Sequence, residues 1–185
     1  MTTTKRIISL FLILAMSVAF FSACGKTDSN APAGMKLASD PDINHYNLYV
    51  PTAWTVDMST GITSAYVSSV DKSNISVSYG VPTESTVKDF WENNKAHYES
   101  VFEEFTVIEE GENSKLGEYD AARYNYTAKY EGKEYQFLQY ITIRGAYVFI
   151  FTYTAENEKN EALGYVPFDK NLEEVMKIVE EFEFK

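Results

Sequence analysis

Two stretches of this chain have apolar side chains at the three- and four-residue spacing that is typical of amphipathic helices. The first is Thr86–Phe105, where Thr86 and Asp89 resemble an N-terminal capping box. The second follows Pro167, a residue favoured in the first helical turn. The pattern predicts two helices, and it predicts that the apolar stripe of the first, which includes Trp91, is buried against a sheet. The stripes consist of Val87, Phe90, Trp91, Tyr98, Val101, Phe102 and Phe105, and of Leu172, Val175, Met176 and Val179.

Other segments alternate apolar and polar residues, which is the pattern of half-buried strands. Three long ones follow one another across short turns that contain Gly132 and Gly145, and this spacing predicts an antiparallel meander. The last of the three is apolar on both faces, which predicts a central, covered strand. The long strands are Ala121–Tyr130, Glu134–Arg144 and Ala146–Thr154; the shorter ones are His45–Val50, Trp54–Val56, a hairpin of Thr63–Val70 with Asn74–Tyr79, and Phe105–Glu109.

These elements predict the fold class α+β, with an antiparallel sheet of about six strands packed with two amphipathic helices. All the periodic segments lie within residues 41–185, so we assign that range to one domain. The preceding residues, 24–40, are small and polar and include Pro32 and Gly34. They predict a flexible tether.

The start of the chain has the composition of an export signal. Basic residues precede the apolar run Ile7–Phe21, and small residues lead to Cys24, the only cysteine of the chain. This ending resembles the lipobox of bacterial lipoproteins, in which the cysteine receives diacylglycerol and palmitate, although Phe21 stands where Leu is usual. We therefore predict a signal peptide over residues 1–23, lipidation at Cys24, and a location on the outer face of the bacterial cell membrane.

Two alternatives to the lipoprotein signal remain at this stage. An uncleaved membrane anchor is disfavoured because the apolar run has about 15 residues, fewer than the roughly 20 that span a bilayer. The other alternative is an ordinary secretory signal that is followed by a cysteine only by chance. A lone thiol cannot form an internal disulfide, and an anchoring role accounts for it.

The charge of the chain limits its partners. Without the two basic residues of the signal, 14 basic residues face 27 acidic ones, a net charge of −13. This balance disfavours nucleic acid, whose binding draws on clustered Lys and Arg. It equally disfavours electrostatic adhesion to an anionic membrane surface, so the predicted contact with the membrane is the lipid on Cys24.

Several patterns between Asn47 and Lys185 resemble, in their order along the chain, the PsbP-like superfamily and its small bacterial lipoproteins. The resemblance implies an α/β/α sandwich and a binding or assembly-assisting role, and it carries no metal or cofactor ligand onto this chain. The matching residues are Tyr49-Val50-Pro51 with Trp54, then Gly132, Tyr135, Tyr140, Gly145 and Phe151-Thr152-Tyr153-Thr154-Ala155, and finally Phe182-Glu183-Phe184.

The sequence offers no catalytic constellation, and we predict no catalytic, metal or cofactor site. We expect His45 to be solvated at the start of a strand and His97 to be half-exposed on the first helix, and no nucleophile motif accompanies them. The acidic stretch 109–113 lacks the spacing of a calcium loop and predicts a solvated turn. The best candidate for recognition is an aromatic face, for which burial under a helix is the favoured alternative; it comprises Tyr124, Tyr126, Tyr130, Tyr135, Phe137 and Tyr147.

The functional prediction that follows is a non-enzymatic, lipid-anchored extracytoplasmic domain that binds an envelope protein or a ligand. One alternative is a small solute-binding lipoprotein of a transporter, although such proteins usually close two lobes around the ligand. A carboxylate-based envelope hydrolase is a weaker alternative, because it depends only on the abundance of acidic residues.

Overall fold

The computed structural model describes residues 30–185, so the predicted signal peptide and Cys24 lie outside the described residues. The described chain is α+β, as predicted, with two helices and a large antiparallel sheet. The elements, in chain order, are β1 (Met35–Leu37), β2 (Tyr46–Asn47), β3 (Tyr49–Pro51), β4 (Thr55–Asp57), β5 (Thr63–Tyr66), β6 (Asn74–Gly80), α1 (Val87–Val101), β7 (Glu103–Leu116), β8 (Tyr119–Tyr130), β9 (Lys133–Arg144), β10 (Tyr147–Glu156), α2 (Pro167–Glu180) and β11 (Glu183–Phe184).

The main sheet has seven strands in the order β4-β5-β6-β10-β9-β8-β7, and every neighbouring pair is antiparallel. The predicted meander is confirmed as β8-β9-β10, and β10 lies at the centre of the sheet with eight consecutive buried residues. Two small sheets, β1 with β3 and β2 with β11, lie beside it.

The two helices pack on opposite faces of the main sheet. The apolar side of α2 includes Val175, Ile178 and Val179 and belongs to a core that contains Phe149, Phe151 and other residues of one sheet face. The apolar side of α1 belongs to a second core, with aromatic residues of β8 and β9 from the other face. Each helix buries most of the stripe that its periodicity predicted, because a sheet of this width presents two apolar faces that need cover. Val101, the last residue of α1, was predicted in the stripe but is 39% exposed, and Leu172 and Met176 of α2 are half-buried.

The capping box predicted at the start of α1 is confirmed. The Thr86 hydroxyl accepts a hydrogen bond from the Asp89 backbone N–H at 3.1 Å and lies 2.8 Å from the Asp89 carboxylate. The helix ends at Val101, earlier than predicted, because Phe102 is already extended. Phe105, predicted as the last apolar residue of the helix, belongs instead to β7.

Strand β7 is longer than the sequence predicted. The expected short strand 105–109 and the expected solvated turn 109–113 are both parts of one edge strand of 14 residues. Its register against β8 shifts between Val107 and Glu109 and again between Glu110 and Glu112. Each irregularity moves the following residues to the other face of the sheet. The alternation of apolar and polar residues is therefore interrupted, and the sequence does not predict one continuous strand.

The packed part of the described chain begins before residue 41. Met35–Leu37, within the predicted tether, pairs with Tyr49–Pro51, and Ala38 is buried. The Lys36 ammonium donates to the backbone carbonyls of Thr52 at 3.0 Å and Trp54 at 2.6 Å. These contacts assign residues 35–38 to the folded domain and shorten the segment that is left for a tether.

Candidate functional site

One face of the main sheet is divided into an aromatic half and a polar half. Cross-strand partners lie on the same face of a sheet, so a row can be followed from β5 through β6, β10, β9 and β8. One row is Ser64, Ser76, Thr152, Gln139 and Tyr124; the next is Tyr66, Asn74, Thr154, Phe137 and Tyr126. In both rows the side chains change from polar to aromatic as the row passes from β6 and β10 toward β8.

The aromatic half lies under α1. Trp91 stacks on Tyr124 with ring centroids 4.1 Å apart, and Tyr98 stacks on Tyr126 at 5.7 Å. Burial raises the pKa of Tyr98 to about 12, as expected for a phenol that is removed from water. Phe137 is also buried here. The aromatic face that the sequence proposed for recognition is therefore mainly core, the favoured alternative.

Tyr147 does not belong to that aromatic face. It pairs with Arg144 and therefore lies on the face of β9 opposite Tyr135 and Phe137. Its ring stacks on that of His45 with centroids 5.3 Å apart, and His45 is exposed, as predicted. His97, on α1, is half-buried. The two histidines lie on different elements, and neither lines the pocket described next.

The polar half carries short hydroxyl and amide side chains, and we call it the hydroxyl face. α1 packs mainly on β7 and β9, which lie on the side of β10 away from β5 and β6. Thr152 and Thr154 are buried and the others are half-buried. The hydroxyl face consists of Ser64, Asn74, Ser76, Thr152 and Thr154.

A pocket of about 190 Å³ lies at one end of the hydroxyl face. Its floor includes Asn74 and Thr154, and its lining includes Tyr66 and Tyr135, which stand on strands on either side of them. These tyrosines stand on β5 and β9, three strand spacings apart, which is about 14 Å. Two connections complete the walls: residues 70–73, between β5 and β6, and Asn160 and Leu163, between β10 and α2. Pro167, the first residue of α2, adds to the second wall.

Charged side chains at the pocket are held by partners within the protein. Lys133 forms an ion pair with Glu156, and this contact raises the pKa of the Lys133 ammonium. The second Glu156 oxygen accepts a hydrogen bond from the Asn160 amide at 2.8 Å. Burial raises the pKa of Tyr135, so its hydroxyl is a neutral donor and acceptor at pH 7. Lys72 lies 5.4 Å from the centroid of the Tyr66 ring.

This combination suits one class of ligand. Binding pockets combine apolar or aromatic walls with a few polar groups that fix orientation. Here two of the lining residues are tyrosines, the floor is neutral and polar, and the charged residues Lys133 and Glu156 at the rim are already paired with each other. The pocket is smaller than the several hundred Å³ of typical drug-sized sites, so it fits a group about the size of a single ring.

A second cavity, of about 470 Å³, lies beside the end of β6. Its lining includes Ile62, Val77, Val148 and Ile150 and has no charged side chain. It offers fewer groups that would orient a polar ligand, so we treat the pocket on the hydroxyl face as the candidate site. Within residues 30–185, no three His, Cys, Asp or Glu side chains are grouped so as to hold a metal ion. No helix in this range is long and apolar enough to cross a membrane.

Comparisons with known proteins identify relatives of the fold only. No family model matches this sequence, and no curated protein matches it. Among solved structures, LpqN of Mycobacterium tuberculosis, described as involved in cell envelope biogenesis, is similar with a TM-score of 0.52 and 14% identity, over 76% of this chain and 83% of LpqN. A Pseudomonas aeruginosa protein of unknown function, PA94, described as a putative regulator, has a TM-score of 0.50 and 15% identity, over 80% of this chain and 96% of its own.

A third solved structure, from Bacteroides thetaiotaomicron, is 18% identical with a TM-score of 0.48. The match covers 76% of this chain but only 45% of that protein, so this chain spans less than half of its length. At 14–15% identity, what this chain shares with LpqN and PA94 is the fold.

Proposed function

We propose that this chain is a lipid-anchored, extracytoplasmic binding domain of the bacterial cell envelope, with no catalytic activity of its own. The lipobox-like sequence before Cys24 supports the anchor, and the PsbP-like pattern supports a binding or assembly-assisting role. LpqN, which shares the fold, is involved in cell envelope biogenesis. An envelope role for this chain agrees with that description.

The pocket on the hydroxyl face is the observation that carries the binding role. We propose that it takes a small, uncharged ligand with hydroxyl or amide groups, held between Tyr66 and Tyr135 over Asn74 and Thr154. An ionised ligand is disfavoured because Lys133 and Glu156 neutralise each other at the rim. A charged group entering the pocket would lose hydration, while the Lys133–Glu156 pair is already formed and the Asp71 carboxylate already accepts hydrogen bonds through both oxygens.

The lack of catalysis is also a proposal. The Glu156 carboxylate accepts hydrogen bonds through both oxygens, from Lys133 and from Asn160. A general acid or base must instead be able to exchange a proton with a substrate within hydrogen-bond reach. The arrangement therefore favours positioning over chemistry, and a carboxylate-based hydrolase is the least supported of the three functions.

The solute-binding lipoprotein is the second candidate, since the same pocket would hold a solute. We favour the first because the pocket lies at the end of one sheet, within a single domain, and not in a cleft between two lobes. A single-domain protein would hold its ligand without closing two lobes around it, and the closed two-lobed form is what transporters usually recognise.

The binding role predicts that the purified protein gives saturation-transfer NMR signals with some members of a panel of neutral probes: glycerol, glucose, N-acetylglucosamine and acetamide. The charged analogues glucuronate and glucosamine should give weaker signals. Tyr66→Ala should abolish the signals because it removes one wall of the pocket. Tyr119→Ala, at a tyrosine that is 41% exposed and outside the pocket, is the matched control and should leave them unchanged. Absence of any signal from the neutral probes would contradict the proposal.

The anchor predicts a different result for Cys24→Ala. The wild-type chain should fractionate with membranes and incorporate a fatty-acid analogue during growth. The variant should be released or accumulate as unprocessed precursor, since no other cysteine is present to accept the lipid. Labelling of Cys24→Ala as strong as that of the wild type would show that the lipid, if any, is attached elsewhere.

A further inference from the structure

Asp71 is a buried carboxylate, and its hydrogen-bond partners within residues 30–185 are all neutral. The residue is 2% exposed and lies in the connection between β5 and β6. One oxygen accepts a hydrogen bond from the Ser73 backbone N–H at 2.9 Å. The other lies 3.0 Å from the Tyr165 hydroxyl and 2.9 Å from the Asn171 amide nitrogen, and accepts from both. Every oxygen of the carboxylate is thus engaged.

Two of these bonds join the β5–β6 connection to other segments: the Tyr165 bond joins it to the connection between β10 and α2, and the Asn171 bond joins it to α2. Asp71 itself lies in the wall formed by residues 70–73. Tyr165 lies in the connection between β10 and α2, which supplies Asn160 and Leu163 to the other wall. Asn171, on α2, also donates to the Pro167 carbonyl at 3.0 Å. The carboxylate therefore links its own segment to Tyr165 and Asn171, which lie 94 and 100 residues further along the chain.

A buried carboxylate is a costly way to hold two segments together. An apolar contact would do so without removing a charge from water. What the carboxylate adds is direction, because its oxygens accept hydrogen bonds only within narrow distances and angles. Such a group fixes the separation of the segments that it joins, and apolar contacts tolerate sliding.

We infer that Asp71 is a positioning residue that holds the two pocket walls at the separation required for ligand binding. The inference rests on the proposed function, since it explains how the pocket of that function keeps its shape. Asp71 does not need to touch the ligand. Its effect on binding passes through residues 70–73 and through the connection that carries Tyr165.

Hydrogen exchange of the full chain, followed by mass spectrometry without any ligand, tests this role directly. Tyr165→Phe removes one donor and should raise exchange in residues 157–166 by about tenfold, the effect of losing a hydrogen bond to a charged group. Asp71→Asn should raise exchange in both walls. Exchange in α1 should stay unchanged in both variants, because a local opening exposes only the walls.

Tyr119→Phe is the matched control, since its hydroxyl accepts from Arg144 outside the pocket and it should leave both walls unchanged. Unchanged exchange in the walls of Asp71→Asn, or an equal rise in α1, would overturn the inference. Probe binding gives a second test. If Tyr66→Ala loses binding of a probe but Asp71→Asn binds that probe as well as the wild type does, the inference about Asp71 is overturned and the proposed function stands. A chain that binds no probe, but whose walls open in Asp71→Asn, would support the positioning role and contradict the proposed function.

Discussion

Gly117→Ala is expected to destabilise the domain by more than about 3 kcal/mol, an unusually large effect for the addition of one methyl group. Gly117 lies in the turn between β7 and β8 with φ +59°. Its backbone N–H donates to the Val179 carbonyl at 2.8 Å, which brings the turn against the end of α2. A Cβ atom at this position would lie 1.9 Å from the Phe182 carbonyl oxygen, far inside van der Waals contact.

The clash can be separated from the backbone strain by a second glycine. Gly132, in the turn between β8 and β9, has φ +77° and no heavy atom within 4 Å of an ideal Cβ. Gly132→Ala should therefore cost only the left-handed conformation, about 1–2 kcal/mol. Urea unfolding followed by tryptophan fluorescence measures both losses. Equal losses in the two variants would mean that the turn moves away from α2 without penalty.

The elements that the sequence predicted well are those whose pattern is local. The stripe of α1, the strands of the meander and the apolar centre of β10 each repeat within one segment, and a single segment contains the whole signal. The capping box at Thr86 is also local, since it joins residues three apart. Burial of these elements followed from their own periodicity, with no knowledge of their partners.

The elements that the sequence missed depend on distant partners. β1 has three residues and too little length to show a period, and it exists because β3 pairs with it. β7 loses its period where Ile108 and Gly111 interrupt the register with β8. Glu110, which the sequence assigned to a solvated turn, accepts a hydrogen bond from the Trp91 indole across 19 residues.

The pocket is the clearest case of a site without a sequence signal. Its floor and walls come from several strands, two connections and the start of α2, and each contributes between one and four residues of common types. Serine and threonine in strands predict only a polar face, and nothing local shows that Ser64, Ser76 and Thr152 form one row. The contact between Asp71 and Tyr165 can be predicted only if the sheet order β5-β6-β10 is known. The alternation of polar positions in β5 and β6 predicts that one face of these strands is polar, but it does not predict that this face forms a pocket.

Trp91→Ala is expected to cost about 3–5 kcal/mol of unfolding free energy, the usual range for deleting a large core aromatic. Trp91 is 1% exposed and stacks on Tyr124, and its ring also contacts those of Tyr98 and Tyr126. Its indole N–H donates to the Glu110 carboxylate at 2.8 Å, and the Lys95 ammonium donates to the same oxygen at 2.7 Å. The substitution would leave a cavity between α1 and the sheet and remove one donor from that carboxylate.

Two control variants separate packing from the polar contact at Trp91. Trp91→Phe keeps an aromatic ring over Tyr124 but loses the indole N–H, so its loss should lie between those of the wild type and Trp91→Ala. Glu110→Gln keeps a neutral acceptor for the indole and should change stability by no more than about 1 kcal/mol, because the carboxylate is partly exposed and its ion pair with Lys95 is screened by water. Trp54 reports urea unfolding in all three variants. A loss below about 1 kcal/mol for Trp91→Ala would contradict the prediction, because it would show that Trp91 contributes little to the packing of α1 on the aromatic half of the sheet face.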